Sequence, residues 1–316
     1  MPRTVIASQH DEELNALLRQ RLPDYTIVPI GQGAPQVPPE ASILLTRPFF
    51  GNFGTRELPG RPAGWPFNLK WVQLTSSGID GYPAWLFDSL PVSSARGTAS
   101  VAVAEFALAA ILAQVKQFPE VWIDSVEQWQ RFPLQQLSGS TLGIVGFGAI
   151  GRDLAVRAQA LGVKVIAVNH SGKPFGVPGV ARAESLQRLF ADSDHVVLAA
   201  PATASTHHLI DKALLDHAKP GLHLVNIARG SLIDETALVL ALDEGRLSRA
   251  TLDVTAIEPT PADHPFYTHP KVRLSPHVSP ASGVIWHNIV EHFVTNLLRH
   301  HKNEPLGDVV DFARGY

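Results

Sequence analysis

Three segments in the second half of the chain carry polar side chains just beyond short apolar runs. They are LVNIARGSLIDETAL with Arg229, ATLDVTAIEPTP with Asp253 and Glu258, and VRLSPHVSPAS with His277. The residue types form a coherent chemical set. A guanidinium holds a carboxylate through two parallel hydrogen bonds. An imidazole titrates where it can hand a proton to a carbonyl oxygen near neutral pH. A carboxylate bonded to that imidazole fixes the ring and favours its protonated form. Arg229, His277 and Glu258 match these roles, and with a hydride supplied they would reduce a carbonyl that sits beside a carboxylate. Taken singly, each has a plainer reading: a surface cation, a loop histidine, a turn residue before Pro259. Their order behind a glycine turn favours the chemical one.

That turn lies in LSGSTLGIVGFGAIGRDLAVRAQALGVKVIAVNHS, where Gly146, Gly148 and Gly151 form G-x-G-x-x-G. Alone the pattern is weak. Here it follows a predicted strand (Thr141–Val145), opens a predicted amphipathic helix (Ile150–Leu161) and leads to a second strand (Lys164–Val168). The first glycine permits the tight turn, the second lets a pyrophosphate approach the backbone, and the third lets helix and strand pack closely. The helix start offers unpaired N–H groups to an anion. Gly146, Phe147, Gly148, Ala149, Ile150 and Gly151 are therefore the expected dinucleotide cradle.

The end of the second strand bears on which dinucleotide. NAD sites usually place an acid there for the ribose 2′-hydroxyl. This chain has Asn169, followed by His170, Ser171 and Lys173. Neutral and basic donors suit a 2′-phosphate, so NADP(H) is expected over NAD(H). The alternative is an ordinary polar loop with NADH bound less selectively.

Elements able to position these groups follow from the apolar pattern. Short runs at Thr4–Ala7, Thr26–Ile30, Ser42–Leu45 and Trp71–Thr75 read as strands of βα units around a parallel sheet. Further strands are expected at His195–Ala199, His223–Asn226, Ala250–Asp253 and Val272–Leu274, giving a doubly wound α/β sheet whose strand ends share one crevice. Pro48 to Pro66 reads as a long surface loop. The alanine-rich stretch Val101–Val115 reads as a buried helix, with Glu105 arguing against a membrane span. Ile285–His300 has helical periodicity. Trp122, Trp129 and Phe132 belong either to the core or to a contact with another subunit.

The length of 316 residues suits two domains. A composition 45% hydrophobic and 17% charged fits a globular enzyme rather than a disordered chain. The formal charge of −3 gives no electrostatic case for nucleic acid or an anionic membrane. With no cysteine, disulfides, thiolate nucleophiles and cysteine-based metal sites are excluded. No metal is expected, because none of the histidines (His207, His208, His264, His269, His300, His301) has a carboxylate at metal-site spacing; they read as surface residues. The N-terminus lacks the pattern of a signal peptide, so a cytoplasmic location is expected.

Taken together, VQLTSSGIDG, SVAVAEFALA, GIVGFGAIG, NIARGSLIDE, LDVTAIEP, LSPHVSPAS and the ending VVDFARGY resemble the D-isomer-specific 2-hydroxyacid dehydrogenase family over most of the chain. The resemblance implies a Rossmann dinucleotide-binding domain (98–288) inserted into a smaller flavodoxin-like substrate domain (1–97 and 289–316), with catalysis in the cleft and a homodimer as the common assembly. It also implies hydride transfer between NAD(P)H and a small 2-keto acid of the glyoxylate or hydroxypyruvate kind. By position, Arg229 would bind substrate, Glu258 would partner the histidine and His277 would donate the proton. Asp253 would contact the nicotinamide carboxamide, Pro201 and Thr206 would line the cofactor, and Ser77 and Gly78 would bind the substrate carboxylate through backbone N–H groups. Ala149 departs from the pattern, in a slot often filled by Arg, and Arg152 is the substitute at hand. RPFFGNFG resembles no assignable substrate loop, which leaves specificity open. Two other readings stay open: an NAD-linked dehydrogenase working oxidatively, and a dinucleotide-sensing protein like the family's corepressors.

Overall fold

The computed structural model describes residues 4–49, 58–118 and 120–316. The chain divides into two compact units, Met1–Ala99 with Ser282–Tyr316, and Ser100–Ala281.

The first unit begins with β1 (Val5–Ser8), α1 (Glu12–Arg21), β2 (Thr26–Pro29), β3 (Ala41–Thr46), β4 (Trp71–Leu74) and the two-residue β5 (Val92–Ser93). The strands form one parallel sheet in the order β2-β1-β3-β4-β5, the flavodoxin-like order. Both faces are covered, which is why β3 and β4 are buried along their length without alternation. Asp11 starts α1 by accepting the Leu14 N–H at 3.3 Å. The expected loop from Pro48 to Pro66 falls partly outside the described residues. Its described ends are not simply surface, because Phe49 and Trp65 are buried and Trp65 packs edge-on to Trp85 at 4.9 Å.

The second unit starts with α2 (Ser100–Val115). It continues through β6 (Thr141–Val145), α3 (Ala149–Ala160), β7 (Lys164–Val168), β8 (Ala181–Arg182), α4 (Leu186–Asp192) and β9 (His195–Leu198). After these come α5 (Lys212–Leu215), β10 (Leu222–Asn226), α6 (Glu235–Asp243), β11 (Leu247–Leu252) and β12 (Val272–Leu274). All seven strands pair in parallel, in the order β12-β11-β10-β9-β6-β7-β8. This is the Rossmann order with one strand added, and its direction reverses between β6 and β9. Parallel strands point every C-terminal end the same way. The loops leaving β6, β7, β9, β10, β11 and β12 therefore share one edge.

Helix α2 is not buried all round, as its composition suggested. Val103, Ala104, Ala107, Ile111 and Val115 form one buried face at helical spacing. Glu105 faces water 3.8 Å from Arg157 of α3. Among the described residues no helix is long and apolar enough to cross a membrane.

The chain returns to the first unit through α7 (Ile285–His301). Phe293 on its apolar face stacks on Trp71 of β4 with ring centroids 5.2 Å apart, and both rings are fully buried. A boundary at 288/289, as read from the sequence, would cut this continuous helix. The crossover instead falls ahead of it, between Ala281 and Ser282.

Candidate functional site

After β12 the chain turns sharply, and His277 takes a left-handed backbone conformation (φ 53°) that histidine tolerates better than most residues. Asp253, just past β11 and only 1% exposed, holds this turn. Its Oδ1 accepts from Ser275 Oγ at 2.6 Å and from Val278 N–H at 2.9 Å, and its Oδ2 accepts from Ser279 N–H at 2.8 Å. The His277 N–H donates to the Asp253 carbonyl at 2.8 Å. So anchored, His277 brings Nδ1 to 2.9 Å from Glu258 Oε2. Facing a carboxylate, Nδ1 must carry the hydrogen, which leaves Nε2 to exchange a proton with a ligand.

The other oxygen of Glu258 accepts the Thr255 N–H at 3.2 Å. Burial alone raises the Glu258 carboxyl. The hydrogen bond from His277, the charges of His277 and Arg229 and the Thr255 N–H outweigh it, holding the group below the ordinary carboxylate range. Glu258 thus stays ionised as pH falls through its unperturbed value. The stability of the pair is lost only as pH drops through the lowered one.

Arg229 reaches the same corner from the end of β10. Asn226, fully buried, shapes that turn: its amide nitrogen donates to the Arg229 carbonyl at 2.9 Å and its oxygen accepts the Ala228 N–H at 3.0 Å. Gly230 then passes so close to the neighbouring loop that a Cβ there would lie 1.8 Å from the Thr255 carbonyl carbon. Glu235 fastens that neighbouring loop by accepting the Ala256 N–H at 2.8 Å. Arg229 and Glu258 thus lie on loops that cross at Gly230, and His277 meets Glu258 from the loop after β12, at the same end of the sheet.

The glycine turn sits on the same edge. Gly146 has φ 94°, and a Cβ there would meet the Ala200 backbone at 2.6 Å. A Cβ on Gly151 would strike the Gly146 carbonyl at 2.7 Å. Gly148 differs, since a Cβ would meet nothing within 4 Å. No protein contact demands glycine there, and a bare backbone at this place is what lets a pyrophosphate come close in a dinucleotide turn. Helix α3 starts at Gly148 with no side-chain cap, whereas Ser185, Asp211 and Asp234 cap α4, α5 and α6. Residues 146–151 thus fit a dinucleotide's phosphates, with Ala149 and Ile150 in the first turn of α3. Phe147 faces inward, packed on Phe175 with ring centroids 4.5 Å apart. Arg152 is exposed.

Beyond β7, His170, Ser171 and Lys173 are exposed. Asn169 is engaged within the loop: its nitrogen donates to the Lys173 carbonyl at 3.1 Å, and its oxygen accepts from Arg182 at 2.8 Å. In the loop after β9, Thr206 Oγ1 donates to the Pro201 carbonyl at 2.8 Å, which ties that turn to itself.

In the first unit, Ser77 and Gly78 follow β4. Ser77 Oγ donates to the Ala95 carbonyl at 3.2 Å and Ser76 Oγ to the Gly78 carbonyl at 2.7 Å. The segment RPFFGNFG lies largely outside the described residues. Among the described residues no cluster of His, Cys, Asp or Glu is arranged to hold a metal. His264 and His269 are not free surface residues: they pair with Glu235 at 3.3 Å and Asp243 at 3.2 Å.

Sequence reading missed Asn226, Glu235 and Arg182. The first two sit at a strand end and a helix start, positions that could have been flagged.

Comparison with known proteins places this arrangement. The sequence profile described as D-isomer specific 2-hydroxyacid dehydrogenase, NAD binding domain, matches residues 108–279. The chain is 30% identical over 258 residues to glyoxylate/hydroxypyruvate reductase A of Serratia proteamaculans (strain 568), covering 78% of this chain and 82% of that one. The structure of a D-isomer specific 2-hydroxyacid dehydrogenase family protein from Aeromonas salmonicida subsp. salmonicida A449 superposes with a TM-score of 0.79. Its identity is 30%, over 99% of this chain and 100% of that one. A D-isomer specific 2-hydroxyacid dehydrogenase from Xanthobacter autotrophicus Py2, solved with NADPH and MES, shares the fold. It has a TM-score of 0.80 at 24% identity, over 99% of each chain.

The close crossing at Gly230 yields a test. Gly230→Ala must push the Arg229 turn away from Thr255, so it is expected to destabilise the protein by about 2 kcal/mol or more. A denaturant midpoint unchanged from wild type would show that the loops do not cross as described.

Proposed function

The chain belongs to the D-isomer specific 2-hydroxyacid dehydrogenase family, and from that premise we propose that it reduces a small 2-keto acid of the glyoxylate or hydroxypyruvate type to the D-2-hydroxy acid, with NADPH favoured over NADH. The observation that carries this reading is the 2.9 Å contact between His277 Nδ1 and Glu258 Oε2, on a carboxylate that also feels Arg229. The dinucleotide, held by residues 146–151, supplies the hydride when bound. Arg229 grips the substrate carboxylate and aligns the keto group. His277 donates its Nε2 proton to the carbonyl oxygen as the carbon is reduced, then regains one from solvent. Glu258 stabilises the imidazolium and keeps Nε2 aimed at the substrate.

The remaining assignments have unequal support. Ser77 and Gly78 as carboxylate binders, and Pro201 and Thr206 as cofactor contacts, rest on the family resemblance. Asp253 has one acceptor position left for a carboxamide, the other three being taken by residues 275–279. NADPH preference is supported by the stretch from Asn169 to Arg182, which contains no Asp or Glu. The substrate size draws on the 30% identity to a glyoxylate/hydroxypyruvate reductase.

We also infer a homodimer. Trp122, Val126 and Trp129 are 69%, 76% and 81% exposed, too apolar a row to face water in a lone subunit. An isologous pairing would cover it with its own copy.

Purified protein is expected to oxidise NADPH with glyoxylate or hydroxypyruvate, and faster than it oxidises NADH. Equal or faster turnover of NADH would remove the cofactor half of the proposal, and no turnover of any 2-keto acid would remove the whole. His277→Ala is expected to lower kcat by about 10²–10⁴-fold; a loss below tenfold would take it out of the acid's role. Light scattering should give twice the chain mass at micromolar concentration, and a monomer there contradicts the assembly.

A further inference from the structure

Arg182 stands outside every motif that pointed to the cofactor, nine residues beyond Lys173 on the short edge strand β8. Register places it beside the loop that follows β7. Arg182 pairs with Ala167, so its side chain shares the sheet face of Ala167 and, two residues on, of Asn169. From there the guanidinium reaches three acceptors. Nη1 donates to Asn169 Oδ1 at 2.8 Å, and Nη2 donates to the carbonyls of Lys173 at 2.7 Å and Gly172 at 3.3 Å. Its plane lies over the Phe175 ring, 4.4 Å from the centroid, and Phe175 packs in turn on Phe147 of the glycine turn.

An exposed arginine normally keeps its rotamer freedom, because ordering a long side chain carries an entropic cost. Here hydrogen bonds and an aromatic face fix it. Every acceptor involved is neutral, so the positive charge is held in place without being cancelled. Nε–H and the second hydrogen of Nη1 have no partner among the bonds described. Asn169 is the opposite case. Its oxygen is turned to Arg182 and its nitrogen to Lys173, which leaves it little to offer a ligand. The fixed cation of this loop is therefore Arg182.

We propose that Arg182 is the specificity-determining residue for the dinucleotide's ribose substituent. It binds a 2′-phosphate with its remaining donors, while Asn169 serves as its positioning residue. This rests on the reading above that the 2′-phosphorylated dinucleotide is preferred. A planar guanidinium suits a phosphate through paired charge-assisted bonds. The stack from Phe147 through Phe175 sets that cation at a fixed place relative to the turn that cradles the pyrophosphate.

The test is calorimetric binding of 2′,5′-ADP and 5′-AMP to the purified full chain, since these differ only in the 2′-phosphate. Wild type is expected to bind 2′,5′-ADP at least about tenfold more tightly than 5′-AMP. Arg182→Gln should lose about 10- to 100-fold in 2′,5′-ADP affinity while 5′-AMP changes less than about twofold. Arg182→Lys, which keeps the charge but not the fork, should fall between them. Unchanged 2′,5′-ADP binding in Arg182→Gln, with wild-type preference intact, would overturn the role of Arg182 and leave the NADPH reading standing. Equal loss of both ligands would overturn it too, making Arg182 a brace for the loop. Wild type without preference would overturn the NADPH reading itself, and this inference with it. An unchanged thermal midpoint in Arg182→Gln, expected for an exposed edge residue, separates these outcomes from misfolding.

Discussion

A buried carboxylate must find donors, and the way Asp253 finds them shapes the active end of the second unit. Left unpaired in the interior, such a group would cost several kcal/mol. With three donors from residues 275–279 it becomes the centre around which that turn folds. The left-handed backbone of His277 follows, and with it the direction of the imidazole toward Glu258. Glu258 depends on this arrangement as well, because His277 and Arg229 hold its charge against burial. Removing one partner would disturb the others, as expected of groups that act as a unit.

The same economy governs the sheet. Strand order reverses between β6 and β9, and at such a switch point open α/β sheets bind ligands beyond the carboxyl ends of their strands. Every residue assigned a chemical role in the second unit leaves the sheet along that edge. The glycine turn contributes backbone N–H groups and a helix start, the loops after β10, β11 and β12 contribute Arg229, Glu258 and His277, and β7 with β8 contribute a fixed cation. Helices and buried strands hold these loops from behind.

Much of this was legible in the sequence for a physical reason. Short apolar runs marked β3, β6, β7, β10 and β12 within a residue or two, most plainly β3 and β6, which are buried almost throughout. The two-residue strands β5 and β8 gave no such run. The candidate site could be named because polar groups at the ends of apolar runs are conspicuous. What holds it was not legible: Asp253 with Ser275, and Asn169 with Arg182, are joined across 22 and 13 residues, and no periodicity marks such pairs. His195 and His223 show the same limit. They read as strand residues, yet they meet in the core with ring nitrogens 3.4 Å apart, and burial pushes His195 down to about 4. Composition misled for α2, whose alanines suggested burial on every side, because only the spacing of its larger residues separates one buried face from two.

The central claim is that Asp253 positions His277 through the turn it anchors, over and above the one acceptor position it keeps for a carboxamide. The most direct measurement is of Asp253→Asn, with kcat for keto acid reduction and the dissociation constant for NADPH determined on the same preparation. The account predicts a fall in kcat of about 30-fold or more, because the turn loses an acceptor it is built around, with the dissociation constant within about threefold of wild type. An intact kcat with strongly weakened NADPH binding would contradict it.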